Sequence, residues 1–600
     1  MAPPSPPPAP DADSVLDRLQ SFVSDNKRAL LIGAAAAAVA AGAAVYYASA
    51  SQPGAGDSKR RKEKKPKKSK KFGEDGGPIL EEREPKKGTP SVVSVESEAE
   101  ELSAEQIQGL SDEERAKYAA DFKLKGNKAY QRRDFKAAID LYTRAIAVSP
   151  KPDAVYYSNR AACYVNLTPP DHEKVVADCD SALALDRNYV KALNRRATAL
   201  EGLNRNEEAL RDYTAATILD KFTNEQAGQS VERVLKKIAT DKAAEIMQTR
   251  ERKLPSFTFV SAYFAAFRPR PPLLVPETPS TGDNTLVLAL DALNASDYIH
   301  SLTLVNEAIE QGCSTDVLTA EALNLRGTFK FLTGDTDGAR ADLEKSVELN
   351  PANTQSWVKL ASVHMEQGEP PKAFECFEKA AQENADDPDI YYHRGQVLFI
   401  MNEFANAAED YTRSSSLDDS FVFSHIQLAV AQYKQGDLAK SMATFRRTLK
   451  AFPDRSEPQN YYGELLLDQG RFQDAVEKFD RAIEIERTKT PMNVLPLVNK
   501  GLALFQWQQD AAAAERCCSE ALSIDDACEA AVATLAQLSL QQGKIDEAVR
   551  MFERNAQLAR NEAELVNALT YQYASYAQVE FMKHYPEMAS QLGQMARQMV

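Results

Sequence analysis

Small and apolar residues recur along the chain in a fixed pattern with a period of 34 positions. The clearest copy covers residues 119–152, where Gly126, Ala138, Tyr142, Ala145 and Pro150 fall at repeat positions 8, 20, 24, 27 and 32. This pattern predicts two helices per period. Small residues at 8, 20 and 27 let the helices approach closely, the aromatic at 24 fills the space between them, and proline at 32 ends the second helix.

A period of this length with paired helices is the signature of tetratricopeptide units. Two more copies follow the first, near 154–189 with a two-residue insertion around Pro169 and Pro170, and at 190–223 with Ala197, Ala209, Tyr213 and Ala216. A second series runs over about 283–562. Its anchors include Gly327, Ala339 and Pro351; Gly395, Ala407 and Tyr411; Gly463, Ala475 and Ala482; and Gly543, Ala548 and Phe552. The expected fold is therefore all-α, a superhelix of about eleven repeats divided three plus eight. Between the series, a helical stretch at about 226–252 precedes LPSFTFVSAYFAAFRPRPP at 254–272, which reads as a hinge or domain boundary. Residues 563–600 read as capping helices, because an array needs a different surface at its end.

Ahead of the repeats the hydropathy changes character. Residues 29–50 hold no charge over 22 positions, which as a helix span about 33 Å, enough to cross a bilayer. Tyr46 and Tyr47 stand near one end, and ten Lys/Arg follow within 59–71. Lys/Arg-rich flanks stay cytoplasmic, so the segment reads as a retained signal anchor with the repeats in the cytosol. The expected organisation is a Pro-rich acidic tail (1–28), the anchor (29–50), a basic then flexible linker (51–112), a three-repeat domain (113–222), a connector (223–282), an eight-repeat domain (283–562) and the cap (563–600).

Charge sharpens the division. Residues 1–71 carry a net of +7, whereas the rest of the chain carries −22. An acidic body disfavours nucleic acid. The seven cysteines are odd in number and include no CxxC pair, which argues against a disulfide framework or zinc and fits a reducing compartment. With six His, no HExxH, and neither GxxxxGK[ST] nor GxSxG, nothing indicates an enzyme or a cofactor.

The first helix of each unit lines the concave face of such an array. In the first three units its exposed positions read Lys123, Asn127, Asn159, Lys191 and Arg195, three cations and two amides converging on one groove. Such a set can bind a free α-carboxylate and a neighbouring acidic side chain together. It resembles the dicarboxylate clamp of tetratricopeptide co-chaperones, which implies that these five residues grip the Glu-Glu-Val-Asp tails of the 70- and 90-kilodalton heat-shock chaperones. In the second series, positions 5, 9 and 12 give Tyr392 and Phe399, then Ile426, Val430 and Tyr433, then Val498, Leu502 and Phe505, either an apolar trough for a hydrophobic peptide or core packed against the next repeat.

Anchor, basic flank, clamp, the 254–272 phrase and eight further repeats, in that order, resemble the 70-kilodalton import receptors of the outer mitochondrial membrane translocase. The resemblance implies a single-pass outer-membrane receptor with its N-terminus in the intermembrane space. It further implies that precursors such as metabolite carriers and other translocase subunits are partners. A clamp-bearing co-chaperone of another organelle and a scaffold for a fixed protein complex remain as alternatives.

Overall fold

The computed structural model describes residues 109–220, 224–269 and 272–587, and all its regular elements are helices. The expected anchor at 29–50 lies outside the described residues. Among those described, no helix is long and apolar enough to cross a membrane.

Among the described residues there are eleven antiparallel helix pairs, in the three-plus-eight division. The first three begin with Asp112–Gln131 and Phe135–Val148 and end with Val190–Gly202 and Asn206–Leu219. The other eight run from Thr281–Asn294 and Tyr298–Gln311 to Glu529–Gln541 and Ile545–Leu558.

Recurrent local chemistry makes each pair. The second helix often starts on an Asp whose carboxylate accepts an amide three residues on, as Asp134 does from Ala137 and Asp510 from Ala513. Except at Asp171, which follows Pro170, the residue before this cap takes a left-handed conformation, whether it is Gly436 (φ 87°) or Gln509 (φ 54°). Position 8 sits directly on position 24. A Cβ on Gly126 would lie 2.9 Å from Tyr142, one on Gly395 2.8 Å from Tyr411, and one on Gly463 2.6 Å from Phe479. Only glycine leaves room for those rings.

Beside that contact runs a second register device. Arg196 donates to Asp212 at 2.6 Å, Arg326 to Asp342 at 2.7 Å and Arg394 to Asp410 at 2.8 Å, each sixteen residues apart and each bidentate. In the second pair Arg160 reaches Asp178 at 2.9 Å over eighteen residues, which is the same register lengthened by the insertion at Pro169 and Pro170. Partly buried ion pairs of this kind fix alignment more than they add stability.

The chain divides into two compact units. One comprises the first three pairs, helix Glu225–Thr249 as far as Lys242, and the described residues from Thr570 onward. Val175, Leu200, Tyr213, Val234 and Ile238 share its core with Ala577, and Phe581 joins Leu193 and Ala216. The final helix, Glu562–His584, therefore places everything from Thr570 in this unit, whereas a cap on the second series was expected. Its Ala577 and Phe581 fill apolar sockets there.

The other unit comprises 243–569. A core from Leu286 to Val397 continues into a second cluster from Tyr392 to Phe479 and a third around Val498 and Cys518. Helix Phe257–Ala265 belongs to this core, with Val260 and Tyr263 buried among residues of the repeats. The stretch read as a hinge is thus an inner element of the second unit.

Candidate peptide-binding sites

Each clamp candidate lies on the first helix of its pair, and contacts through Tyr142, Cys163 and Ser158 link three of the five, Asn127, Asn159 and Arg195. Asn127 is buried, and its Oδ1 accepts the Tyr142 hydroxyl at 2.7 Å. That bond leaves the amide NH2 as the group able to donate. Tyr142 packs with Cys163 in one small core. Burial pushes the Cys163 thiol up to about 12, with the nearby Arg195 charge opposing, so this is an inert thiol beside a guanidinium. Arg195 is only 8% exposed and donates from Nη1 to the Ser158 carbonyl at 3.1 Å and to the Ser158 hydroxyl.

Asn159 follows Ser158 and is 1% exposed, yet neither its Oδ1 nor its Nδ2 has a partner, and Arg195 Nε has none either. Buried polar atoms are rarely left in this state. Lys123 is half-buried one helical turn before Asn127, and Lys191 is exposed one turn before Arg195. The arrangement is a polar floor with unused hydrogen-bonding capacity, flanked by two ammonium groups. Chemically it suits a carboxylate.

The trough candidates divide by repeat position. Tyr392 and Ile426 are fully buried and Val498 is 2% exposed, so all three position-5 residues are core and do not line a groove. Tyr392 meets Tyr411 of its own pair at 6.0 Å and Phe421, just before the next pair, at 5.3 Å. Phe399, Val430, Tyr433, Leu502 and Phe505, at positions 9 and 12, are half-buried. Phe399 meets Phe404 edge to face at 5.1 Å, and the Tyr433 hydroxyl donates to Asp468.

The residues that sequence reading missed are those that meet the inner segment. Arg268 is held by Asp389 and Asp418, and Ser256 by Glu529. An arginine directly closing an apolar run was the available signal. Among the described residues, no group of three or more His, Cys, Asp or Glu is arranged to hold a metal ion.

Stacked antiparallel helix pairs of this kind define a tetratricopeptide-repeat protein, and tetratricopeptide-repeat families match residues 331–397, 388–421 and 426–490. The chain is 32% identical over 490 residues to the human mitochondrial import receptor subunit TOM70, covering 77% of this chain and 80% of that protein. With the Saccharomyces cerevisiae protein of the same name it is 30% identical over 504 residues, covering 78% and 81%. The crystal structure of yeast Tom70 aligns with 79% of this chain and 99% of its own length, at a TM-score of 0.50 and 30% identity. The chain belongs to this family of mitochondrial import receptors.

Proposed function

We propose that this receptor sits in the mitochondrial outer membrane through residues 29–50, docks cytosolic 70- and 90-kilodalton heat-shock chaperones by their acidic tails, and holds precursors in its second unit for transfer to other translocase subunits. The three-repeat unit supplies the dock. The observation that carries this reading is the unpartnered Asn159 amide and Arg195 Nε, buried together on a surface that Lys123 and Lys191 make cationic. A terminal carboxylate satisfies those donors, and an adjacent acidic side chain meets the ammonium groups. Precursors with internal targeting signals, such as metabolite carriers, are the clients such a trough suits.

Titration of the full-length protein with a Glu-Glu-Val-Asp peptide tests the dock. Lys191→Ala should weaken binding roughly tenfold, because an exposed charge-assisted contact is worth about 1.5 kcal/mol. Its melting temperature should match the wild type. Equal affinity for a peptide amidated at its C-terminus would show that no carboxylate is being read.

A further inference from the structure

Residues Ser256 to Arg268 are seated along the second unit the way a bound peptide would be. At the N-terminal end, the Ser256 hydroxyl donates to Glu529 at 3.0 Å and the Thr258 amide to Asp525 at 2.9 Å, so carboxylates meet the positive end of helix Phe257–Ala265. In the middle, Phe257 and Phe264 stack on Tyr298 at 5.5 and 5.7 Å, and Phe264 meets Phe329 edge to face at 5.7 Å. The Arg560 guanidinium lies 4.5 Å from the Phe259 ring centre. At the C-terminal end, Phe267 stacks on His393 at 4.4 Å. Arg268 then donates to Asp389 at 2.5 Å and to Asp418 at 2.7 Å, with its guanidinium 4.0 Å from the Phe421 ring centre.

Tyr298 belongs to the first pair of this unit, Phe329 to the second, His393 to the fourth and Glu529 to the eighth. One short segment therefore reaches from one end of the series to the other. No helix among the described residues joins it to the repeats on its C-terminal side before Thr281.

The fit is incomplete. A cavity of about 120 Å³ remains between this helix and residues 456–496, lined by Thr258, Ala262, Phe423, Asn460 and Tyr461 among others. Thr258 Oγ1 and the Tyr461 hydroxyl are buried there without partners. A ligand that filled the cavity and bonded these atoms would outbid the present occupant.

We propose that Ser256–Arg268 is the chain's own stand-in for a client, and that the second unit recognises an aromatic-rich helical segment closed by a cationic residue, which displaces it. Asp389 and Asp418 form the cation subsite, with Phe421 beneath it. Tyr298, Phe329 and His393 form the aromatic sockets, and Asp525 and Glu529 receive the segment's N-terminal end. The inference rests on the reading that this unit holds precursors and adds what it selects.

The probe is a fluorescent peptide of the segment's own sequence, LPSFTFVSAYFAAFR, titrated into the full-length protein. Phe267→Ser, which loosens the resident segment while keeping Arg268 paired, should bind the peptide at least tenfold more tightly than the wild type. A peptide ending in Ala in place of Arg should lose that gain, as should Asp389→Asn added to Phe267→Ser. Ser256→Ala, which removes the Glu529 contact and the helix cap on the Phe259 amide, gives the same readout if Phe267→Ser lowers the melting temperature. Equal peptide affinity in wild type and both variants overturns the proposal. So does a carrier precursor that binds the wild type but is not competed by the peptide, and that result leaves the receptor reading standing. Peptide capture without binding of any precursor would instead sink the receptor reading and leave the groove's selectivity intact.

Discussion

Arg195 is one side chain with two jobs that substitution does not separate. It lines the proposed carboxylate site, and it also holds the Ser158 carbonyl and hydroxyl inside the first unit. Arg195→Ala should therefore weaken tail binding about ten- to a hundredfold and cost about 1–3 kcal/mol of stability, because Ser158 loses its partner. Peptide titration beside thermal unfolding checks both, and an unchanged melting temperature would show that the Ser158 contacts contribute little. From sequence alone the residue reads as pure surface, since position in the repeat tells which face it takes but not how deep it sits. The same limit explains Tyr392, Ile426 and Val498: aromatic and aliphatic residues suit a trough or a core equally, and position 5 proves to be core. Glu529 gives a residue-scale pH test. Burial raises its carboxyl to about 7, despite its bonds from Ser256. The folded chain then binds a proton that the unfolded chain, near 4.5, has already lost. This contribution is complete below about 4.5, falls as pH rises towards 7 and is flat beyond. Glu529→Gln keeps the acceptor but removes the titration, so its advantage over the wild type should be larger at pH 7.5 than at pH 5, on the order of 1–3 kcal/mol. Melting curves at the two pH values measure it, and an equal difference at both would refute the assignment.

At the scale of the element, the repeat is held by contacts sixteen residues apart, and these were half visible. Glycine at position 8 and an aromatic at 24 are legible as a pattern, and the pairing of Gly463 with Phe479 gives that pattern a mechanism. Gly463→Ala puts a methyl where Phe479 already stands, a fully buried ring with no free direction, and should cost about 1–3 kcal/mol by overpacking. Denaturant unfolding reads the loss; a cost under about half a kcal/mol would mean the ring shifts freely. The Arg–Asp register was present in the sequence at the same spacing but hidden among many charges, because a charged pair announces itself only when the period is already known. Helix Phe257–Ala265 was hidden for the opposite reason. Its FTFVSAYFA is apolar all round, so it has no polar face to produce a helical period, and such a helix is legible only as buried. The final helix shows a third limit: a sequence says that a cap exists, not which unit receives Ala577 and Phe581.

For the whole molecule, the consequence of two units with different linings is that two binding functions should fail independently. On the proposed reading the first presents Lys123, Lys191 and Arg195 to carboxylates, whereas the second presents the half-buried Phe399, Tyr433 and Phe505 to apolar segments. Replacing those three aromatics with Ser should weaken carrier-precursor binding and leave the affinity for a Glu-Glu-Val-Asp tail unchanged. Lys191→Ala should do the reverse. Each ring that touches a client is worth on the order of 1.5–3 kcal/mol of apolar burial, so the triple replacement should abolish measurable precursor binding. The structure also sets what else must be measured. Phe399 packs on Phe404 and the Tyr433 hydroxyl bonds to Asp468, so part of the effect will fall on the fold. Tyr433→Phe and Phe399→Leu, which keep most of the volume, separate the contributions: if precursor binding is lost only where the melting temperature falls, these residues are structural and the trough lies elsewhere in the second unit. Loss of tail binding in the triple variant at an unchanged melting temperature would mean that the two units do not act as separate sites.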